Sequence, residues 1–345
     1  MRPQARRVLV LLAVALGVAV IIALGRGAVG LSPGEVIAAL GDKLGLDLGD
    51  TDERLIAIVW SVRLPRVVLA VLVGAALACS GAALQGVVRN ALADPTLVGV
   101  SGGAALGAVT AIVLGGPLLA SSFGVWLVPA AAFAGALLST RAALALARVG
   151  GATSGVTVLL AGIGLAALAG SGVGILLYLA DDAALRSVTF WSLGSVGGAT
   201  WTLVGAIALP IGLAVVWLPR LASDLDRLAL GELEARHVGV DVDRLIRRVT
   251  GLAALAVGAA VAACGSIAFV GLVVPYLARA VLGPGHRSLL PACALGGAVL
   301  LVVADLIART IVAPAEIPIG VITALAGAPV LLALVRRGRG GTAMP

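Results

Sequence analysis

The chain has 345 residues, 61% hydrophobic and 12% charged, with 24 Lys and Arg against 17 Asp and Glu for a formal net charge of +7. A soluble domain carries roughly 25% charged residues, so this composition excludes an ordinary soluble fold and points to a membrane protein. The positive excess does not signal nucleic-acid binding, because it is sorted by position between apolar runs.

A bilayer helix needs about 20 mostly apolar residues. The runs predict ten spans, near 8–25, 66–88, 96–115, 123–147, 156–179, 202–218, 245–268, 271–283, 289–311 and 318–335, of which 271–283 is short for crossing alone. The alternation of barrel strands is absent. Arg6 and Arg7 precede the first run as in a signal peptide, but Leu24-Gly25-Arg26 is a poor cleavage context, so an uncleaved first helix is expected. The hydrophilic stretch 26–62 follows. Its Ser32-Pro33-Gly34-Glu35 predicts a short surface helix capped by Ser32, and Asp42, Asp47, Asp50, Asp52 and Glu53 make it acidic.

Span three holds Gly103 and Gly107; span five holds Gly162, Gly164, Gly170, Gly172 and Gly174. Two readings stay open for these glycines: close helix packing, or a smooth wall along a pathway. Residues 180–200 form the next outer segment, where Arg186 is the lone basic residue. Between spans six and seven, 219–248 is dense in both charges. Its string LGELEARHVGVDVDRL predicts one or two short amphipathic helices broken at Gly239, with the look of a docking surface. In span nine Asp305 sits one turn before Arg309, a spacing that permits pairing.

With the N-terminus inside, 17 of the 24 Lys and Arg fall on the cytoplasmic side and seven outside, the bias that orients membrane proteins. Both termini are then cytoplasmic. Trp60, Trp126, Trp191 and Trp201 fall near outer boundaries and Trp217 near an inner one. GAALACSG at 74–81 matches GAAVAACG at 258–265 at five of eight positions, and Arg63 and Arg247 share the same offset. Spans two and seven run in opposite directions, so the echo suggests an inverted repeat.

Several chemistries are missing. His237 and His286 are the only histidines and Lys43 the only lysine, so neither a His metal cluster nor a Walker loop can form. Cys79, Cys264 and Cys293 lie within spans and read as buried thiols rather than disulfides. Mid-membrane ionisable groups, usual in ion-coupled carriers, are lacking. This argues against a self-sufficient channel or secondary carrier; a scaffold would not need so glycine-rich a fifth span. The energy source is expected on another polypeptide.

The segment RLPRVVLAVLVGAALACSGAALQGVVRNALADPTLVGVSGGAALGA (63–108) resembles the FecCD family, the permease subunits of ABC importers for iron-siderophores, haem and cobalamin. FWSLGSVGGATW (190–201), GELEARHVGV (231–240), GSIAFVGLVVPYLAR (265–279), ADLIART (304–310) and EIPIGVITALAGAPVLLALVRR (316–337) extend the likeness over nearly the whole chain. Ala91 stands where many relatives carry Pro.

The resemblance implies an all-α polytopic permease of the bacterial inner membrane, one domain over 1–345, working as a homodimer with one path at its axis. It implies two ATPase subunits below, which bind the ATP and Mg, a periplasmic substrate-binding protein above, and lipid around. The chain itself would be neither an enzyme nor a holder of cofactor or metal. Gly231, Glu232, Ala235, Arg236 and Gly239 are implied to couple to the ATPase, and Thr153, Ser154 and Thr157 to belong to a cytoplasmic gate. Arg63, Arg66 and Arg309 are implied to receive carboxylates of the binding protein; anchoring of helix ends at headgroups is the other reading. FWSLGSVGGATW is most similar to the haem and cobalamin branch, which makes haem the expected cargo, ahead of cobalamin and siderophores. Arg186 would then meet a haem propionate, touch the binding protein, or pair with Asp181 or Asp182.

Overall fold

The structure, a computed structural model, describes residues 3–27, 30–43, 45, 52–91, 93–94, 99–149 and 152–338. Arg2, Asp47, Asp50, residues 95–98 of the quoted motif and Arg339 lie outside them. Sixteen helices follow in order: α1 (Pro3–Gly25), α2 (Pro33–Lys43), α3 (Glu53–Ala57), α4 (Leu64–Val88), α5 (Val100–Leu114), α6 (Gly116–Leu119), α7 (Gly124–Leu146), α8 (Gly155–Leu179), α9 (Asp182–Leu193), α10 (Trp201–Trp217), α11 (Ala222–Leu228), α12 (Glu232–His237), α13 (Val242–Cys264), α14 (Val270–Leu282), α15 (His286–Thr310) and α16 (Ile319–Gly338). A two-residue antiparallel ladder, Arg148–Val149 with Ala152–Thr153, is the strand structure among the described residues.

Among those residues seven helices are long and apolar enough to cross a membrane, and α5, α14 and Ile319–Ala333 are shorter apolar helices. Together they are the ten expected spans. The second begins earlier than its apolar run: Glu53–Val88 is one continuous 36-residue helix. Pro65 lacks an N–H and would normally break it. A π-turn over Ile58–Arg63, in which the Leu64 N–H reaches back to the Val59 carbonyl, absorbs the mismatch. Residues 180–200, expected as an outer segment, contain α9, which Asp181 caps by accepting from the Ala184 N–H at 2.7 Å. At α2 the Ser32 and Glu35 side chains accept each other's backbone N–H at 3.3 and 2.6 Å, a capping box. Those bonds hold the Glu35 carboxyl below its ordinary pKa, the Ser32 backbone contributing most.

Burial separates the spans. In the helix containing α4, 83% of the apolar window is buried, against 17% in α1 and in α8, so α4 forms the centre and α1 and α8 face outward. α4 packs on α15, α13, α14 and α10. The contact depends on absent side chains: a Cβ on Gly74 would strike the Gly297 carbonyl, and one on Gly81 the Gly271 carbonyl. Gly103 and Gly107 of α5 meet Gly135 and Ala131 of α7 the same way. Cys79, Cys264 and Cys293 are buried and unbridged.

The helices alternate between two ends of the bundle. At one end Arg63 reaches the Leu24 carbonyl, Arg66 reaches Glu316, the Ser195 N–H bonds to the Cys264 carbonyl, and the Ile319 N–H bonds to the Gly194 carbonyl. Trp201 also donates to the Trp60 carbonyl there at 2.8 Å. At the other end Thr153 meets Asp243, Asp226 meets His286, and Gln4 meets Val281. α4 thus starts where α13 finishes, and the helices carrying the echoed segments run in opposite directions.

Candidate functional site

Each end carries a polar cluster, and each unites residues far apart in sequence. At the first end Arg66, in the opening turn of α4, is only 9% exposed. Its Nε and Nη2 donate to Asp305 Oδ1 at 2.9 and 2.8 Å, and its Nη1 and Nη2 to Glu316 Oε1 and Oε2 at 2.7 and 3.0 Å. One planar guanidinium thus bridges a carboxylate of α15 and another on the 311–318 loop, a geometry that lysine lacks. Arg309 lies 3.4 Å from Asp305 Oδ2 through Nε and donates to the Ala23 carbonyl. The spacing-based pair between Asp305 and Arg309 is therefore present, but Arg66 makes the shorter contacts.

Among the described residues this cluster gathers three arginines and two carboxylates. Asp305 is buried, whereas the Glu316 side chain is 44% exposed. The Arg66 fork holds the Glu316 carboxyl below the ordinary carboxylate range, against a smaller opposing effect of burial. Arg63, Arg66 and Arg309, implied by the family likeness to receive carboxylates of a binding protein, lie together, and each is buried and engaged within the chain.

At the opposite end α12 is held by two glycines in conformations that side chains avoid. Gly231 has φ 128° and Gly239 has φ 85°. The chain therefore breaks on both sides of α12, not only at the expected Gly239. Ala235 points inward with no exposure. Arg236 donates across to Asp243 at 2.9 Å, and Asp243 also accepts the Thr153 N–H. The Ser154 hydroxyl donates to Glu232 Oε1 at 3.1 Å. Ser154 is the N-cap of α8 but makes no cap bond to that helix; its hydroxyl serves α12 instead. Thr157 follows in the first turn of α8, half-buried. The two motifs expected to act at this end, 153–157 and 231–240, are thus in direct contact.

The surface beside them is mixed. Leu230, Leu233 and Val238 are 71%, 69% and 56% exposed between charged neighbours. Outside a bilayer, apolar side chains grouped in this way mark a protein contact.

The glycines of α8 divide by environment. Gly162 is buried beside Gly99, and a Cβ on Gly172 would meet Leu106 of α5. At Gly164, Gly170 and Gly174 a Cβ would meet nothing within 4 Å. Packing within the chain accounts for the first two and not for the last three. Arg186 is exposed on α9 and forms no ion pair among the described residues, while Phe190, 68% exposed, lies one turn further on the same face.

Three contacts were not legible in the sequence. Glu316 completes the first cluster from 250 positions away. Near the other end Arg279 of α14 is buried and donates to Gln85 Oε1 of α4, and His286 Nδ1 lies 2.7 Å from Asp226 Oδ1. The available signal was the cost of burying a charge inside an apolar bundle, which demands a partner for each of Arg66 and Arg279.

The sequence model of the FecCD transport family matches residues 14–337. The Hemin transport system permease protein HmuU of Yersinia pestis is 46% identical over 286 residues, 81% of this chain and 84% of that protein. The vitamin B12 import system permease protein BtuC of Vibrio cholerae is 44% identical over 282 residues, 81% of this chain and 83% of its own. A solved inward-facing structure of a metal-chelate type ABC transporter aligns with a TM-score of 0.81 at 32% identity, over 96% of this chain and 99% of that one.

Proposed function

The chain belongs to the FecCD transport family and is the permease subunit of an ABC importer, and from that premise we propose that its cargo is haem. The observation that carries the choice is the 46% identity to a permease named for hemin transport. Exposed Arg186 with Phe190 on the same face suits haem: a cation for a propionate and a ring for the flat porphyrin. Cobalamin is the second reading, favoured by the 44% identity to a vitamin B12 permease.

The working complex is a pair of these chains on two ATPase subunits, with a substrate-binding protein on the other face. ATP and Mg belong to the ATPases. The bundle end with Asp243 faces the cytoplasm of an inner-membrane permease, a choice supported by the positional arginine bias. Leu230, Leu233 and Val238, with Glu232 and Arg236 between them, are the contact for the ATPase. Gly231 and Gly239 set the angle of α12 against it. Gly164, Gly170 and Gly174 face the second copy across the path, where the lack of side chains keeps the wall smooth. Arg63, Arg66 and Arg309 form the docking point for carboxylates of the binding protein.

The test is uptake into proteoliposomes containing permease, ATPase and binding protein, with haem, cobalamin and a ferric siderophore compared. ATP-dependent haem uptake is expected, slowed by Arg186→Ala by a factor of about five, as for an exposed ion pair. Uptake of cobalamin or siderophore without haem would overturn the cargo reading.

A further inference from the structure

We propose that Glu316 is a built-in competitor for the docking site: it holds the outward fork of Arg66 until a carboxylate of the substrate-binding protein takes its place. The inference rests on the docking reading of Arg66 and adds to it how the site is kept before docking.

The two carboxylates on Arg66 differ in their freedom to leave. Asp305 is 1% exposed, sits in α15 and also faces Arg309. Glu316 sits on the 311–318 loop with its side chain 44% exposed, and it takes Nη1 and Nη2 end-on through both oxygens. An incoming carboxylate therefore meets a fork that is already filled, in the bidentate geometry such a partner would itself adopt. Exchange of one carboxylate for the other leaves Arg66 with two anions throughout, so no buried charge is stranded while the partner docks. Binding without exchange would place a third carboxylate beside two, with four of the five Arg66 N–H donors already used.

Exchange also has a structural consequence. A Cβ on Gly197, in the α9–α10 turn, would lie 3.2 Å from Glu316 Oε2 and 3.7 Å from Arg66 Nη1. Glu316 thus lies between that turn and α4, immediately before α16, whose first N–H bonds to the Gly194 carbonyl. Displacing Glu316 releases the 311–318 loop from α4, while the Ile317 N–H bond to the Ala308 carbonyl and the packing of α16 on α14 and α15 remain. Docking is thereby read at the head of a helix that packs on α9, α14 and α15.

The experiment measures affinity of the substrate-binding protein for the permease–ATPase complex in lipid nanodiscs, with thermal stability recorded for each variant. Glu316→Gln keeps the shape and removes the charge, so it is expected to tighten binding about three- to fivefold, the range of one half-exposed ion pair. Arg66→Lys keeps the charge that Asp305 requires but loses the fork, and is expected to weaken binding. Unchanged or weaker binding by Glu316→Gln, with Arg66→Lys still weakened, overturns the competitor role and leaves docking intact. Undiminished binding by Arg66→Lys and by Arg66→Gln/Asp305→Asn overturns the docking reading, and the competitor with it.

Discussion

The Ser154 hydroxyl donates to Glu232 Oε1 at 3.1 Å, joining the N-cap of α8 to the first residue of α12. The α8 end of this bond belongs to the helix with the open glycine face, and the α12 end to the segment proposed to meet the ATPase. Ser154→Ala and Glu232→Met are each expected to preserve assembly while raising the ATP hydrolysed per cargo molecule delivered. Because both remove the same bond, the double variant should be no worse than either single. Additive losses would show that the two residues act separately.

Glycines with different surroundings should respond differently to a methyl group. Gly74→Ala forces a Cβ into the Gly297 carbonyl, and destabilisation of about 1–3 kcal/mol is expected from overpacking. Gly170→Ala meets open space and should be neutral or stabilising by up to about 1 kcal/mol, through helix propensity alone. Gly170→Leu should leave thermal stability of the purified chain unchanged and still block uptake. Unimpaired uptake by that variant would remove Gly170 from the pathway.

The buried pair of Arg279 and Gln85 has a distinct signature. Gln85→Leu strips a buried guanidinium of its side-chain acceptor and should cost about 3 kcal/mol, since breaking a buried polar pair strands a charge. Replacing both, as Gln85→Leu/Arg279→Met, should recover most of that loss. Thermal unfolding in detergent reads both variants. A double variant as unstable as the single would mean that the pair shapes the helices rather than merely satisfying each other.

Glu316 has a folded-state pKa below its unfolded value, because the Arg66 fork favours the carboxylate and Arg309 adds to it. A depressed acid contributes stability above its unfolded pKa, near 4.3, and loses it as pH falls through the lower folded value. The stability difference between the natural chain and Glu316→Gln should therefore be flat from pH 7 to about pH 5 and shrink only below about pH 4. With the side chain 44% exposed, the plateau should not exceed about 1 kcal/mol. A difference that already fades near pH 6 would contradict this assignment.

Much of the architecture was legible in the chain itself. Ten apolar runs announced ten apolar helices, because a bilayer helix must satisfy its own backbone and display apolar side chains continuously. Both properties are local. The Ser32–Glu35 cap and the break at Gly239 were equally readable, for they depend on residues three or four apart. The helix begins earlier than the apolar run of the second span, because a π-turn before Pro65 has no hydropathy signal.

What the sequence by itself determined, then, was the set of spans, the family motifs and the patterned segment 231–240. Tertiary structure alone decided which carboxylate sits on Arg66, with Asp305 and Glu316 lying 239 and 250 positions away. It also decided that Gly74 and Gly103 are packing contacts while Gly164, Gly170 and Gly174 face open space. The physical reason is common to both. A charge or a missing side chain has the same local appearance wherever it occurs, and its meaning comes from the atoms that distant helices bring beside it.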